Sequence, residues 1–193
     1  MKKHLALFLA CLVFAGNLFA QQHLSFKGVP INGTLQEYTN AMVNAGFHYE
    51  ETQDGTTLLS GDFAGYKNCT IGVSTLKNLD VVSHIAVLFP DNDTWTAVLK
   101  EYESLKAMLT EKYGMPSESR EKFTGYTGNY DNSLVMYALK DGEYEWYTTF
   151  STELGDIRLS ISSGIKYNTA AVTLVYSDKM NNDKVRSSAM DDL

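Results

Sequence analysis

The sequence predicts an α+β fold, with two tandem α-β-β-β units forming a curved antiparallel sheet and helices packed on one face. Three observations carry that expectation. Two amphipathic stretches of helical period begin near Leu35 and near Trp95, and after each the period changes from 3.6 to 2. The dipeptides Asp54-Gly55 and Asp141-Gly142 separate alternating segments. Such pairs signal a two-residue hairpin, because both central residues must take φ > 0. Finally, Ile157, Leu159 and Ile161 alternate with Arg158, Ser160 and Ser162, the pattern of an antiparallel sheet with one wet face.

The chain opens on a leader. Lys2 and Lys3 precede an apolar run from Leu5 to Phe14, and Leu18-Phe19-Ala20 leads into Gln21-Gln22. That order is the layout of a secretory signal peptide cut after Ala20. The run is too short for a bilayer, which needs about 20 apolar residues. No later segment reaches that length, so no transmembrane segment is expected in the mature chain, and a periplasmic or secreted location follows. Cys11 leaves with the leader. Lipidation there would place Phe8-Leu9-Ala10 before the modified cysteine, a poor fit to a lipoprotein signal. Of 16 lysines and arginines two lie before residue 21, which leaves 14 against 23 acids, a formal −9. Such a surface disfavours nucleic acid, which selects basic patches.

Residues 21–90 are expected to form the first unit and 91–177 the second. In the first, Thr34-Leu35-Gln36-Glu37 is a capping box: the Thr34 hydroxyl accepts from the third helical N–H, and Glu37 reaches back. Leu35, Tyr38, Met42 and Ala45 follow at helical spacing, and Gly46 supplies the stop. Strands are expected at 47–53, 57–63, 69–74 and 81–89. The second helix carries Trp95, Val98, Leu99, Tyr102, Leu105 and Leu109 on one stripe, with Asn92 or Asp93 as its cap and Gly114 and Pro116 at its end. Strands are expected again at 118–123, 134–139, 143–151, 157–162 and 171–176. The tail at 178–193 is polar without a sustained apolar period and reads as disordered.

Leu35-Gln36-Glu37-Tyr38 and Leu99-Lys100-Glu101-Tyr102 share Leu-x-Glu-Tyr, which supports a duplicated unit. In this element order, over residues 24–177, the chain resembles the β-lactamase inhibitor protein family, where two tandem helix-plus-strand units build one curved sheet. It is also similar to small exported proteins of unknown function from Bacteroidetes, whose leaders often end in Phe-Ala-Gln as Phe19-Ala20-Gln21 does. The inhibitor-type proteins carry a disulfide in each unit. Here Cys69 stands alone after export, so no internal disulfide can form, and inhibition of a β-lactamase is not implied.

The residues offer little for catalysis. There is no Gly-x-Ser-x-Gly, no phosphate-binding Gly-x-x-x-x-Gly-Lys and no His-Glu-x-x-His. Cys69 falls in register with Ile71 and Val73, which reads as a buried thiol, and His23, His48 and His84 are scattered. Asp91-Asn92-Asp93 has the oxygens for calcium but lacks the later Gly and Glu of an EF-hand, and turn or cap duty explains it. No catalytic residue, metal ligand or cofactor is assigned, and the chain reads as non-enzymatic. The functional lead is aromatic. Tyr126, Tyr130, Tyr144, Trp146 and Tyr147 cluster in the second unit, where Tyr and Trp supply contact area with few rotamers to freeze. Tyr144, Trp146 and Phe150 share one strand face, which serves either as core beneath a helix or as a recognition surface. The expectation is a binding module that recognises another protein through the sheet face. The alternative is capture of a small ligand, a glycan or a lipid.

Overall fold

A computed structural model describes residues 23–76, 79–125 and 132–191. A short hairpin, Ser25–Phe26 (β1) and Val29–Pro30 (β2), leads into Leu35–Asn44 (α1). Four strands follow: His48–Gln53 (β3), Thr56–Phe63 (β4), Tyr66–Leu76 (β5) and Leu79–Leu88 (β6). The rest comprises Trp95–Tyr113 (α2), Glu118–Phe123 (β7), Asn132–Asp141 (α3), Tyr144–Thr152 (β8), Gly155–Ser163 (β9), Ala170–Asp178 (β10) and Lys179–Asp191 (α4).

The long strands make one antiparallel sheet in the order β3-β4-β5-β6-β10-β9-β8-β7. The first four run outward-to-centre in chain order, and the last four run from the far edge back to the centre. They meet where β6 pairs with β10, with Ile85 opposite Tyr176 and Val87 opposite Leu174. The hairpin turns explain the meanders. Asp54 and Gly55 take φ of 50° and 74°, and Ala64 and Gly65 take 50° and 85°, so both turns use the left-handed region whose twist matches the flanking strands.

Register defines the two faces. Leu59, Ile71, Val87, Leu174, Leu159 and Thr148 are successive cross-strand partners, and none is more than 1% exposed. Each aliphatic side chain buried in that row is worth about 1.5–3 kcal/mol. Side chains of α1, α2 and α3 meet residues of the same face. Thr39 of α1 donates to Thr57, two residues from Leu59, at 3.3 Å; the Tyr102 hydroxyl of α2 meets Thr148 at 2.7 Å; and Ser163 of β9 donates to the Leu139 carbonyl of α3 at 3.0 Å. The neighbouring row, Leu58, Gly72, Ala86, Val175, Arg158 and Thr149, points the other way and stays partly or fully exposed.

The local signals at the helices form as read in α1. Thr34 accepts from the Glu37 N–H, and Glu37 Oε2 accepts from the Thr34 N–H at 3.0 Å. In α2 the stripe Val98, Tyr102, Leu105 and Leu109 is buried, but the cap is Thr94, whose hydroxyl accepts from the Ala97 N–H at 3.3 Å. Asn92 is drawn elsewhere, to Glu101 at 2.7 Å.

Further expectations are corrected. The strand at 134–139 is instead the helix α3: Val135, Met136, Ala138 and Leu139 are buried while Leu134 and Tyr137 are more than half exposed. Six apolar residues in a row carry no readable period, and Leu, Met and Ala favour a helix. Asp141-Gly142 consequently ends a helix rather than turning a hairpin; the Glu143 N–H returns to the Ala138 carbonyl at 3.0 Å. The disordered tail at 178–193 is also replaced, by α4 through Asp191. Its polar composition is misleading, because Asp178 accepts from the Asn181 N–H at 2.9 Å and starts the helix as a cap. Asn181, fully buried, then donates to the carbonyls of Ile31 and Val82, both at 2.9 Å.

Candidate binding surfaces

The aromatic residues singled out in the sequence divide between the two faces. Tyr126 and Tyr130 lie outside the described residues. Tyr144 and Trp146 are half-buried on the helix side, in line with the buried Phe150. The Trp146 ring meets Trp95 of α2 edge-on at 4.8 Å and Phe123 of β7 at 5.3 Å. Such pairs add about 0.5–1.5 kcal/mol beyond area burial. Among the described residues Trp146 Nε1 has no hydrogen-bond partner. Burial pushes the Tyr144 hydroxyl above the usual range, against a hydrogen bond with the Ser163 backbone.

Tyr147 faces the other way. Its hydroxyl donates to Glu118 at 2.8 Å, and the Arg158 guanidinium stacks on its ring at 3.6 Å. Glu118 is held below the usual carboxylate range, first by the Tyr147 hydroxyl and then by Arg120. Arg120 and Lys122 of β7 also reach Glu145, at 3.6 and 3.3 Å. Exposed pairs of this kind stabilise by about 0–1 kcal/mol, so their main effect is to keep one end of the open face charged and internally paired. Tyr147, Arg158 and Ser160 line a shallow depression there of about 480 Å³.

Away from that end, the open face turns apolar and small: Leu58, Gly72, Ala86, Leu88 and Val175 are all half-exposed. His84 lies on the same face with its Nδ1 at 2.7 Å from the Ser83 hydroxyl. Burial holds its imidazole below the usual histidine range, which keeps it neutral near pH 7. The sequence shows each of these strands alternating, but the contiguity of Leu58, Gly72, Ala86 and Val175 comes from register, which one strand at a time does not reveal.

Several polar groups are committed to the fold. Burial works to raise the Asp91 carboxyl, yet the N–H groups of Lys166 and Ile165 and the Thr169 hydroxyl, at 2.8 to 3.1 Å, outweigh it and hold the group below its usual range. Asp91 thus closes the β9–β10 loop with the oxygens that a cation would need. Among the described residues no three His, Cys, Asp or Glu side chains converge as a metal site requires. Cys69 is fully buried, and burial pushes its thiol up to about 11, so it is unreactive at neutral pH. An apolar crevice beside Phe63, Leu105 and Leu174 holds about 140 Å³, below the roughly 300 Å³ at which ligand pockets begin.

Glu101 carries a measurable consequence. Burial raises its carboxyl above the usual range, only partly offset by Asn92, and among the described residues its Oε1 has no partner. A raised carboxyl binds its proton more tightly when folded, so its contribution falls as pH rises from the ordinary glutamate value through the raised one. Glu101→Gln keeps the size and removes the titration. The variant is expected to gain stability over wild type on going from pH 4 to pH 8, read as a widening difference in urea midpoint. A constant difference across that range would show that Glu101 does not titrate differently in the two states.

No family model matches this chain, and neither a curated protein nor a solved structure shows significant similarity to it. Among the described residues no helix is long and apolar enough to cross a membrane.

Proposed function

We propose that the chain is an exported, non-catalytic binding module that recognises another protein through the uncovered face of its sheet. The observation that carries this reading is the strip Leu58, Gly72, Ala86 and Val175, half-exposed and contiguous across four strands. A wet antiparallel face ordinarily turns polar residues outward. An apolar centre flanked by Tyr147, Arg158 and hydroxyl side chains has the layout of an interface, with aromatic and arginine anchors beside a small, close-approach floor.

The same reading takes the two four-strand ladders as duplicated units, a layout like that of the β-lactamase inhibitor protein family. In support, the tyrosine of each Leu-x-Glu-Tyr, Tyr38 and Tyr102, is buried, at 2% and 0% exposure. Leu35 and Leu99 are both half-buried against the core.

The test uses residues 21–193 as bait in envelope and culture-medium extracts, beside an Ala86→Arg/Val175→Arg variant. Both positions are partly exposed, so the fold should tolerate the change. A partner held by wild type and weakened about tenfold or more by the variant is the expected result. Equal capture by both, or capture by neither, removes the reading. A second reading rests on the Tyr147–Arg158 stack, a ring and a cation that could hold a glycan in the depression beside them. It expects a rise in melting temperature with an acidic oligosaccharide, lost in Tyr147→Ala.

A further inference from the structure

The edge strand β3 points to a second recognition site, distinct from the strip centred on Ala86 and Val175. Among the described residues it is the last strand of the sheet and pairs only with β4. Every second residue along it therefore turns its N–H and C=O away from the sheet, with no strand beyond it among the described residues. All six of its residues are exposed. Folds commonly block such an edge with proline, lysine or a covering element. Among the described residues β3 has none of these, whereas the opposite edge, β7, carries Arg120 and Lys122 in ion pairs.

Beside β3 runs a groove of about 560 Å³ between the strand and α1. Leu35, Val43 and Tyr49 are among its lining, with Val43 43% and Tyr49 53% exposed. Its floor is a chain of threonine hydroxyls: Thr39 donates to Thr57 at 3.3 Å, and Thr57 meets Thr52 at 2.8 Å. The register explains why the other side of β3 is acidic. A bulge between Tyr49 and Glu51 sends Tyr49 and Thr52 toward the groove, and turns both Glu50 and Glu51 to the far face, where Glu50 accepts from Ser60. Asp80 closes one part of the groove, and among the described residues the lining holds no lysine or arginine.

We propose that an extended peptide adds to β3 as a ninth strand, with apolar side chains entering the groove beside α1 and basic side chains alternating beside Glu50 and Glu51. Backbone hydrogen bonds supply affinity in this mode, and the groove reads every second side chain. A strand opposite carboxylates gains from opposite charge and loses from like charge. Pairing of two copies through β3 would bring two acidic strands together, so the edge selects a basic strand over itself.

The probe is a short synthetic peptide of alternating lysine and valine, with alternating lysine-serine and glutamate-valine peptides as controls. Binding is read by fluorescence anisotropy, and location by hydrogen exchange at residues 48–53. The lysine-valine peptide is expected to bind and to protect that strand. Val43→Glu, at an exposed position, should weaken it about tenfold, while Glu51→Lys should weaken it and favour the glutamate-valine peptide. Ala86→Arg should leave it unchanged, which separates this site from the strip at the centre of the sheet. Absence of binding, equal binding of the lysine-serine peptide, or protection elsewhere overturns the proposal. So does a dimer of the free protein with 48–53 already protected, which would make a second copy the occupant.

Discussion

An Asp178→Ala variant is expected to lose roughly 2–6 kcal/mol of folding stability, because two buried N–H donors lose their acceptor. For a domain of this size that lowers the melting temperature on the order of 10 °C. Asp178 is fully buried and accepts three hydrogen bonds, from His23 Nδ1 at 3.0 Å, the Leu24 N–H at 2.8 Å and the Asn181 N–H at 2.9 Å. Alanine would leave the Leu24 and Asn181 donors in the interior with no acceptor, and each such orphan costs about 1–3 kcal/mol. The contact joins distant parts of the chain. Through it the segment carrying the buried Leu24, Phe26 and Ile31 is fastened to the end of β10 and the start of α4. Asp178→Asn keeps an acceptor and should lose clearly less. Thermal and urea melts of both variants decide the matter: a midpoint for the alanine form within a degree or two of wild type would mean that packing around Phe26 holds the segment without Asp178.

That residue also shows where the sequence could be read and where it could not. The capping box at Thr34 and Glu37, the apolar stripe from Val98 to Leu109 and the alternation at Ile157, Leu159 and Ile161 are local patterns, and each formed where it was read. Period and capping depend on neighbours within a few residues, so one sequence displays them. Asp178 and Asn181 fall in the stretch that reads as a disordered tail, because their partners His23, Ile31 and Val82 stand far away in the chain. The α3 helix was missed for a different reason: 134–139 is apolar throughout, and the exposure of Leu134 and Tyr137 that marks the helical face exists only once α3 has packed. The candidate site was legible in composition rather than in placement. Tyr144, Trp146 and Tyr147 were found as a cluster, and their alternation put Tyr147 opposite the other two. Which side of β8 meets α2 was not readable, since Trp95 and Phe123 complete the packing around Trp146 from separate elements.

The contact that sets that side yields the second large effect. Tyr102→Phe is expected to destabilise the protein by about 1–3 kcal/mol although it removes a single oxygen. Tyr102 is fully buried, and its hydroxyl lies 2.7 Å from Thr148 Oγ1 and 3.0 Å from Glu121 Oε1. Burial drives the phenol well above its usual range, so it stays a neutral donor. Burial also works to raise Glu121, but Lys106, Tyr102 and Ser119 donate to it and outweigh that effect, holding the carboxyl below its usual range. The network therefore ties α2 to β7 and β8 through one ionised carboxylate. A double-mutant cycle of Tyr102→Phe with Glu121→Gln should give a coupling of roughly 0.5–3 kcal/mol. Its pH dependence follows from the sign of the Glu121 shift. A depressed carboxyl contributes stability that is present above the ordinary glutamate value and lost as pH falls through the folded one, so the penalty of Glu121→Gln should shrink in acid. The lock also reaches the open face. It holds the β7–β8 register in which Arg120 sits opposite Tyr147, and so it fixes where the Tyr147–Arg158 stack can stand. If Tyr102→Phe left stability unchanged and the coupling were zero, the apolar stripe of α2 would hold the edge unaided, and the polar network would be a consequence of the packing rather than one of its causes.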